Sequence, residues 1–307
     1  MIKKVIVTGA TGFIGGWLVR ELLSNGVVVY GVGTRAEGMK EFILNENFIP
    51  VIATFETYTD LPYIIKDRDV DIFYHFAWAG GFTSAIKDYK LQMQNAAYAA
   101  DAVLIAKELG CKKFIYAGTY NQFEIQNFLN SDTFEPRYTC IYSTGKTAAN
   151  LLCRTLAYNI GIEYSAGLIP MPYGKYNYSK QLTNIVLDSL NKGKAPKLVE
   201  GNNTYDLVYV GDIAKAFIAI GEKGKDQKEY YVGHRKLKTF KEWMIGIRDV
   251  IAPCIDLKFG EFKDHQNIDY SMIDLEALYK DTGYECAAEF RSTILEAAEW
   301  VKQLGWE

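Results

Sequence analysis

Tyr142 and Lys146, in the segment IYSTGKTAANLL, are residues whose types and spacing suggest chemistry. The pattern predicts a helix from Tyr142 to about Ile160, and residues four apart on a helix share one face. A phenol alone, with a pKa of about 10, holds its proton too tightly for acid–base catalysis at neutral pH. A neighbouring ammonium favours the phenolate and lowers that pKa. The pair therefore predicts acid–base catalysis, although a half-exposed helix face with a packed lysine stem has the same pattern.

A glycine-rich segment near the N-terminus predicts the site where this pair would act. VTGATGFIGG follows the predicted strand KKVIVT and opens a predicted helix, with glycines in a GxxGxxG array. The first glycine permits a tight turn, the second a close approach of a pyrophosphate, and the third close packing of helix on strand. The helix N-terminus adds free N–H groups and a positive dipole end. The predicted dinucleotide-binding residues are Gly9, Thr11, Gly12, Phe13, Ile14 and Gly15.

The end of the second predicted strand bears on the choice between NAD and NADP. An acidic residue at this place would bind the ribose hydroxyls of NAD. Here the strand is followed by Gly33, Thr34 and Arg35, which carry no negative charge against a 2′-phosphate. Thr34 and Arg35 could bind that phosphate, although Arg35 could equally be a solvated loop residue. The sequence therefore favours NADP, with NAD possible.

Short β-branched runs alternate with helical patterns through the first half of the chain. This alternation predicts an α/β fold with a doubly wound parallel sheet of the Rossmann type. After Pro170 short strands and helices mix, which indicates a smaller C-terminal α+β domain that would bind substrate. The predicted boundaries are 1–168 for the dinucleotide-binding domain, to which 206–222 return, and 169–307 for the smaller domain.

Composition excludes several classes of function. The chain has 307 residues, 49% of them hydrophobic, with a net charge of −3 and a pI near 5.8, so it offers no basic field for nucleic acid or an anionic membrane. No apolar run approaches the roughly 20 residues that span a bilayer, and glycine interrupts the N-terminal apolar run too early for a signal peptide. A cytoplasmic location is expected. The five cysteines and the histidines His75, His234 and His265 lack metal-ligand spacing, so no metal site is predicted.

Taken in order along the chain, the motifs resemble those of the extended short-chain dehydrogenase/reductases, which include nucleotide-sugar epimerases, dehydratases and reductases. TGATGFIG resembles the cofactor turn of this family, KKFIYAGT its fifth strand, YSTGK its YxxxK motif, and DLVYVGDIAKA a segment that returns to the first domain. The resemblance implies that Thr119 holds the substrate oxygen, that Tyr142 protonates it as hydride arrives, and that Lys146 also binds the nicotinamide ribose. It further implies cofactor contacts from the motif DIFYHFAW and from a helix asparagine, here Phe76, Ala77, Trp78 and Asn95.

The residues after Thr119 narrow the predicted reaction. The 4,6-dehydratases of the family have an acidic pair there, whereas this chain has Tyr120 and Asn121, so dehydration is disfavoured. The leading hypothesis is NADP-dependent reduction of a keto group on a nucleotide-activated deoxysugar. The alternatives are an NAD-dependent nucleotide-sugar 4-epimerase, a reductase of a small carbonyl compound without a diphosphate, and a dinucleotide-binding sensor without turnover.

The sequence departs from the family where it would hold a diphosphate. Tyr205 stands where an arginine often precedes the DFVYV-like strand, and Leu168 and Met171 stand where RxxNxYG members carry arginine and asparagine. Replacement donors could be Lys175, Lys180 or Arg235. The resemblance also implies a homodimer through the helix that contains Asn95 and the helix of the YxxxK motif. Leu151, Leu152 and Leu156 would lie on that surface or in the core.

Overall fold

The computed structural model describes residues 1–81, 84–263 and 268–306. The strands within these ranges are, in chain order, β1 (Lys4–Thr8), β2 (Val28–Gly33), β3 (Phe48–Ile52), β4 (Ile72–His75), β5 (Lys113–Thr119), β6 (Glu163–Ile169), β7 (Met171–Tyr173), β8 (Lys197–Val199), β9 (Thr204–Tyr205), β10 (Leu207–Tyr209), β11 (Lys228–Tyr231), β12 (Lys238–Thr239) and β13 (Lys258–Phe262). The helices are α1 (Phe13–Ser24), α2 (Leu61–Ile64), α3 (Tyr89–Glu108), α4 (Gln122–Asn130), α5 (Thr139–Ile160), α6 (Leu182–Asn191), α7 (Val210–Lys223), α8 (Phe240–Ile251), α9 (Ala277–Thr282) and α10 (Phe290–Gln303).

Seven strands form one parallel sheet in the order β3-β2-β1-β4-β5-β6-β11. Its central strands read as nearly continuous apolar runs because helices cover both faces; every residue of β4 and β5 is buried. The strand order reverses between β1 and β4, which is where a Rossmann sheet opens a crevice at its carboxyl edge. Thr8, His75 and Thr119 end three of these strands at that edge. The predicted fold class is confirmed.

Two helical layers enclose the sheet. On one face α3 and α5 pack against each other and against Phe73, Phe114 and Tyr164 of the sheet. On the other face α1 and α7 pack together, with Leu18 and Phe217 in the shared core. The two layers therefore place α1 and α5, which carry the glycine turn and the YxxxK motif, on opposite sides of the same sheet edge.

The smaller domain has its own core and short two-stranded sheets. β10 pairs with β7, β12 with β9, and β13 with β8. Helices α6, α8 and α10 surround a separate apolar cluster that includes Leu187, Trp243 and Val301. A further small cluster, with Tyr120 and Tyr231 at its centre, fills the space between this domain and the sheet.

The structure differs from the predicted elements in three places. β11, assigned from sequence to the smaller domain, completes the edge of the central sheet beside β6. β10 was expected to return to the first domain but pairs with β7, while α7 does pack there. A helix, α4, follows Thr119 where none was predicted, and α5 begins at Thr139, one turn before Tyr142. Edge pairing and helix starts depend on partners far away in the chain, which local patterns do not identify.

Other predictions concern surfaces and isolated side chains. Leu151 and Leu152 of α5 are exposed, while Leu156 packs against the core, so a homodimer surface on α5 stays a prediction. The five cysteines are free thiols. His265 lies outside the described residues. Among the helices of the described ranges, none combines the length and the apolar character needed to cross a bilayer.

Candidate active site

The glycine turn between β1 and α1 packs so closely that side chains have no room at two of its positions. Gly9 has a φ of +69°, and a Cβ atom there would lie 2.8 Å from the backbone nitrogen of Ala77. A Cβ atom at Gly15 would lie 2.2 Å from the carbonyl oxygen of Gly9. That carbonyl also accepts a hydrogen bond from the N–H of Gly12, at 2.9 Å. The turn thus holds α1 against the end of β1, and its glycines leave the backbone without side chains on the side that faces the cavity.

The N-terminus of α1 is open for an anion. Gly12 is the N-cap residue, and neither a capping side chain nor an acidic residue of the first turn accepts from the first-turn amides. Unpaired amides at a helix N-terminus, together with the helix dipole, attract phosphate groups. These residues line a cavity of about 580 Å³, which we call the first cavity, and its size is in the range of ligand-binding clefts. The bare turn and the uncapped helix therefore fit a dinucleotide.

The first cavity brings together most of the predicted site residues. Its wall contains Gly9, Thr11, Gly12, Phe13, Ile14, Gly15, Phe76, Trp78, Thr119, Tyr142 and Lys146. The predicted cofactor contacts Thr34, Arg35, Ala77 and Asn95 lie outside this wall. A residue of the short 3₁₀ turn at Ala36–Met39, which follows β2, lines the wall instead: Gly38 packs on the side chain of Thr11, with a Cβ position only 2.9 Å from Thr11 Cγ2.

Two charged residues that sequence reasoning missed take this place in the wall. Arg20 of α1 and Glu41 line the first cavity and form an ion pair, with Nη2 and Oε1 2.5 Å apart. The guanidinium of Arg20 also lies 3.9 Å from the ring centroid of Tyr176, in the loop after β7. No local pattern in the sequence singles out Arg20, because its place in the wall depends on Glu41 and Tyr176, which lie far from it in the chain.

Asn95, for which the resemblance implied a cofactor contact, instead binds a neighbouring loop. Its side chain is buried; Nδ2 donates to the carbonyl of Ala79 and Oδ1 accepts from the N–H of Ala79, both at 2.9 Å. The asparagine therefore fixes the loop after β4, which carries Trp78. Ala77 likewise acts through its backbone, against Gly9 and the hydroxyl of Thr8.

Thr119 and Tyr142 meet at the inner end of the first cavity. They are 5% and 7% exposed, and their hydroxyl groups are hydrogen-bonded to each other. Burial raises the pKa of Tyr142 above its usual value, and the hydrogen bond with Thr119 only partly opposes this effect. The phenol is therefore protonated at neutral pH, in the position of a proton donor.

Lys146 lies in the same wall but does not act on the phenol as predicted. Its Nζ donates to the carbonyl oxygen of Ala117 at 3.0 Å and lies 3.9 Å from the ring centroid of Trp78. Burial lowers the pKa of Lys146 to about 7, so the ammonium is itself poorly stabilised. The expectation that this cation lowers the pKa of Tyr142 is wrong for the protein alone, because burial dominates and the ammonium is directed at Ala117 and Trp78.

The buried ring of His75, at the end of β4, has a partner at one of its two nitrogens. Its Nδ1 is 3.0 Å from the hydroxyl of Thr8, whereas Nε2 is buried without a hydrogen-bond partner among the described residues. Burial, with a smaller contribution from Lys146, lowers the pKa of His75 to about 3, so the ring is neutral.

A second cavity of about 640 Å³ adjoins the first and shares Tyr120 with it. Its wall is largely apolar, with Leu182, Leu198 and Phe240, and it contains two cationic residues, Arg137 and Lys197, that the sequence did not single out. The Arg137 guanidinium is bound to the fully buried carboxylate of Glu124, with Nε 3.0 Å from Oε1.

The predicted replacement donors do not line either cavity. Arg235 binds Glu276 and Glu285, with Nε 3.0 Å from the Glu276 oxygens. Lys175 lies over the ring of Tyr176, and Lys180 lies 5.6 Å from the ring centroid of Trp306. Neither lysine is in the wall of a described cavity.

Comparison with known proteins agrees with this geometry. A model of the NAD dependent epimerase/dehydratase family matches residues 5–233. A putative UDP-glucose 4-epimerase of Methanocaldococcus jannaschii is 26% identical, over 69% of this chain and 71% of that protein. A probable dTDP-glucose 4,6-dehydratase of Sinorhizobium fredii is 23% identical, over 99% of this chain and 94% of that protein.

A solved structure, the UDP-glucuronic acid 4-epimerase of Bacillus cereus in complex with UDP-glucuronic acid and NAD, shares the fold. Its TM-score is 0.79 at 19% identity, over 98% of this chain and 99% of that chain. The family model spans most of the chain, from β1 past β11, and includes the glycine turn and the Tyr142–Lys146 pair. The protein therefore belongs to the NAD-dependent epimerase/dehydratase family, the group of extended short-chain dehydrogenase/reductases that its motifs resemble.

Proposed function

We propose that the protein reduces a keto group on a nucleotide-activated sugar with hydride from a nicotinamide cofactor. One observation carries the proposal: the buried phenol of Tyr142, hydrogen-bonded to Thr119, lies in the wall of the cavity that contains the glycine turn. Among the described residues of that wall, Glu41 is the one carboxylate, and Arg20 neutralises it. The site thus offers a proton donor and no carboxylate base, which suits carbonyl reduction and disfavours dehydration.

The residues divide the reaction between them. The hydroxyl groups of Thr119 and Tyr142 hold the carbonyl oxygen of the substrate, so negative charge that develops there meets two donors. A nicotinamide bound in the first cavity would supply the hydride for this reduction. Tyr142 gives its proton to the oxygen, which completes the alcohol, and the hydrogen bond from the hydroxyl of Thr119 stabilises the phenolate that remains. The amides at the N-terminus of α1 hold the cofactor diphosphate.

We propose NADP as the preferred cofactor. The support is that no carboxylate stands at the end of β2, where it would repel a 2′-phosphate, and that Glu41 is paired with Arg20. For the substrate, the second cavity supplies a largely apolar wall for a base or sugar, and Arg137 and Lys197 as donors to phosphate.

The test is to mix the purified protein with NADPH or NADH and a panel of nucleotide keto-sugars, and to follow cofactor absorbance and the alcohol formed. The expected result is one alcohol formed for each NADPH consumed. Tyr142→Phe should lower kcat by about 10²–10⁴-fold and leave cofactor affinity within about twofold. Tyr158→Phe is the matched control, because Tyr158 is 73% exposed on the same helix. Full activity of Tyr142→Phe would refute the assignment of the proton donor.

A nucleotide-sugar 4-epimerase is the second candidate, and the similarity to epimerases of the family favours it. An epimerase would interconvert its sugars without net consumption of cofactor, and a bound NAD would be released only on denaturation. Turnover of small carbonyl compounds alone would instead contradict the nucleotide-sugar part of the proposal. Cofactor binding without turnover of any substrate would contradict both enzymatic candidates.

A further inference from the structure

We propose that Trp78 is a positioning residue that holds the ammonium of Lys146 against its indole face and keeps it charged for cofactor binding. The proposal rests on the cofactor site of the proposed function and is independent of the substrate. It gives a tryptophan in the loop after β4 a role in the electrostatics of the site, in addition to lining the cavity.

The indole lies between the two residues of the YxxxK pair. Lys146 Nζ is 3.9 Å from the centroid of the Trp78 ring system, and the Tyr142 ring meets the same indole at a centroid distance of 6.1 Å and an angle of 82°. A cation close to an indole face is attracted by the ring quadrupole, and tryptophan is the aromatic residue that does this best. The only other ring near this ammonium, among the described residues, is that of Tyr116, at 5.1 Å.

The orientation of the indole is fixed from α3. Trp78 Nε1 donates to Gln92 Oε1 at 2.9 Å, and Gln92 Nε2 donates in turn to the carbonyl of Ala85 at 3.0 Å. Gln92 is fully buried, because α3 and α5 approach closely at Gly145, where a Cβ atom would lie 2.9 Å from the carbonyl oxygen of Gln92. A tryptophan held by a buried acceptor is not a loosely packed wall residue.

Lys146 is the group around this indole that titrates near neutral pH. Burial raises the pKa of Tyr142 and Cys153 on α5 and of Tyr116 on β5, so these groups stay neutral. The pKa of His75 on β4 is lowered to about 3, so the ring stays neutral as well. Burial lowers the pKa of Lys146 to about 7, so a modest attraction by the indole changes the charged fraction of the ammonium at physiological pH.

Burial and the attraction of the indole act on the pKa of Lys146 in opposite directions, and this sets the change expected when Trp78 is removed. Removing the aromatic face while keeping the site dry favours neutral lysine, so the pKa of Lys146 falls. Typical cation–π strengths correspond to a decrease of about 0.4 to 1.5 pH units. A charged Lys146 binds the ribose of the cofactor, so cofactor affinity falls as pH rises through this pKa. The midpoint of that fall should therefore move to lower pH.

The experiment measures the Kd for NADH between pH 5.5 and 9, by fluorescence titration or calorimetry. NADH is the probe because the 2′-phosphate of NADPH itself titrates at a pKa of about 6. Trp78→Leu should move the midpoint down by about 0.4 to 1.5 pH units, and Trp78→Phe by less, since it keeps an aromatic face. Gln92→Met, which removes the acceptor of the indole N–H, should move it in the same direction. Trp306→Leu is the matched control, since its ring also lies near a lysine, Lys180, but outside both cavities.

The outcomes separate this inference from the proposed function. A midpoint that stays in place or rises in Trp78→Leu, with the fold retained by circular dichroism, would overturn the role of Trp78. If Trp78→Leu does not fold, Trp78→Phe and Gln92→Met decide in the same way. Lys146→Met should abolish the pH dependence, and a dependence that persists would assign it to another group. Failure of the wild-type protein to bind NADH or NADPH at any pH would instead refute the proposed cofactor site, and this inference with it.

Discussion

Substituting alanine for Gly15 tests the closeness of the glycine turn, on which the cofactor site depends. A Cβ atom at Gly15 would lie 2.2 Å from the carbonyl oxygen of Gly9 and 3.0 Å from its carbon, and backbone atoms cannot rotate away. At the adjacent Gly16 the nearest atom is 3.3 Å away and belongs to the flexible end of Arg20. G15A and G16A therefore form a matched pair in one helix.

The expected difference in stability between G15A and G16A follows from the surroundings of the two glycines. Both substitutions gain about 1 kcal/mol of helix propensity, so their difference isolates the steric cost. Overpacking costs about 1–3 kcal/mol, and the short backbone contact at Gly15 puts G15A at the upper end. The free energy of unfolding should therefore be lower in G15A than in G16A by about 3 kcal/mol. For 307 residues this corresponds to a Tm difference of roughly 5 °C.

Cofactor affinity supplies the second readout for this pair. A shifted turn misaligns the N–H groups that would bind the diphosphate, and hydrogen bonds to charged groups contribute about 1.5–3 kcal/mol. The Kd of G15A for NADPH should rise by about 10- to 150-fold, while that of G16A stays within about twofold. Differential scanning calorimetry and fluorescence titration measure the two effects. Equal Tm and equal Kd values for the two variants would refute the close contact between Gly15 and Gly9.

Three further predictions concern the other side chains of the site. Thr119→Val removes the hydroxyl that bonds Tyr142 and should lower kcat by about 10²–10³-fold, whereas Thr119→Ser should retain most activity; similar kcat values for the two variants would contradict the role of the hydroxyl. Asn95→Leu leaves both backbone groups of Ala79 without their partner and should lower the free energy of unfolding by about 2 kcal/mol or more in urea titrations. The pKa of Lys146 is about 7 in the folded protein and 10.5 in an unperturbed lysine, so the unfolded chain binds more protons in this window. Stability should therefore rise with pH from 7 to about 10, and urea midpoints of Lys146→Met should lack this slope.

Much of the fold and part of the site could be predicted from local patterns. The strand before the GxxGxxG array and the helix after it predicted the turn, because glycine spacing and hydrophobic periodicity are properties of neighbouring residues. The same holds for Tyr142 and Lys146, whose separation of four residues places them on one helix face. Thr119 was identified through the resemblance of KKFIYAGT to the fifth strand of the family, and the structure places it at the end of β5, at the carboxyl edge of the sheet.

The sequence did not identify residues whose roles depend on distant partners. Arg20 and Glu41 line the first cavity as an ion pair between α1 and the segment after β2, and no local pattern predicts that contact. The resemblance implied a cofactor contact for Asn95, whereas both of its side-chain groups bind Ala79. Likewise, β11 joins the central sheet by pairing with the edge of β6, a partner that is distant in the sequence.

The sequence by itself determined which chemical groups the protein has and where along each helix or strand they stand. Tertiary structure decided their protonation. Two helices and the sheet exclude water from Tyr142 and Lys146, so burial raises the pKa of the phenol and lowers that of the lysine. The spacing alone had suggested that the cation lowers the pKa of the phenol. Solvent exclusion is a property of the whole packed molecule, and for this reason no segment of the sequence could reveal it.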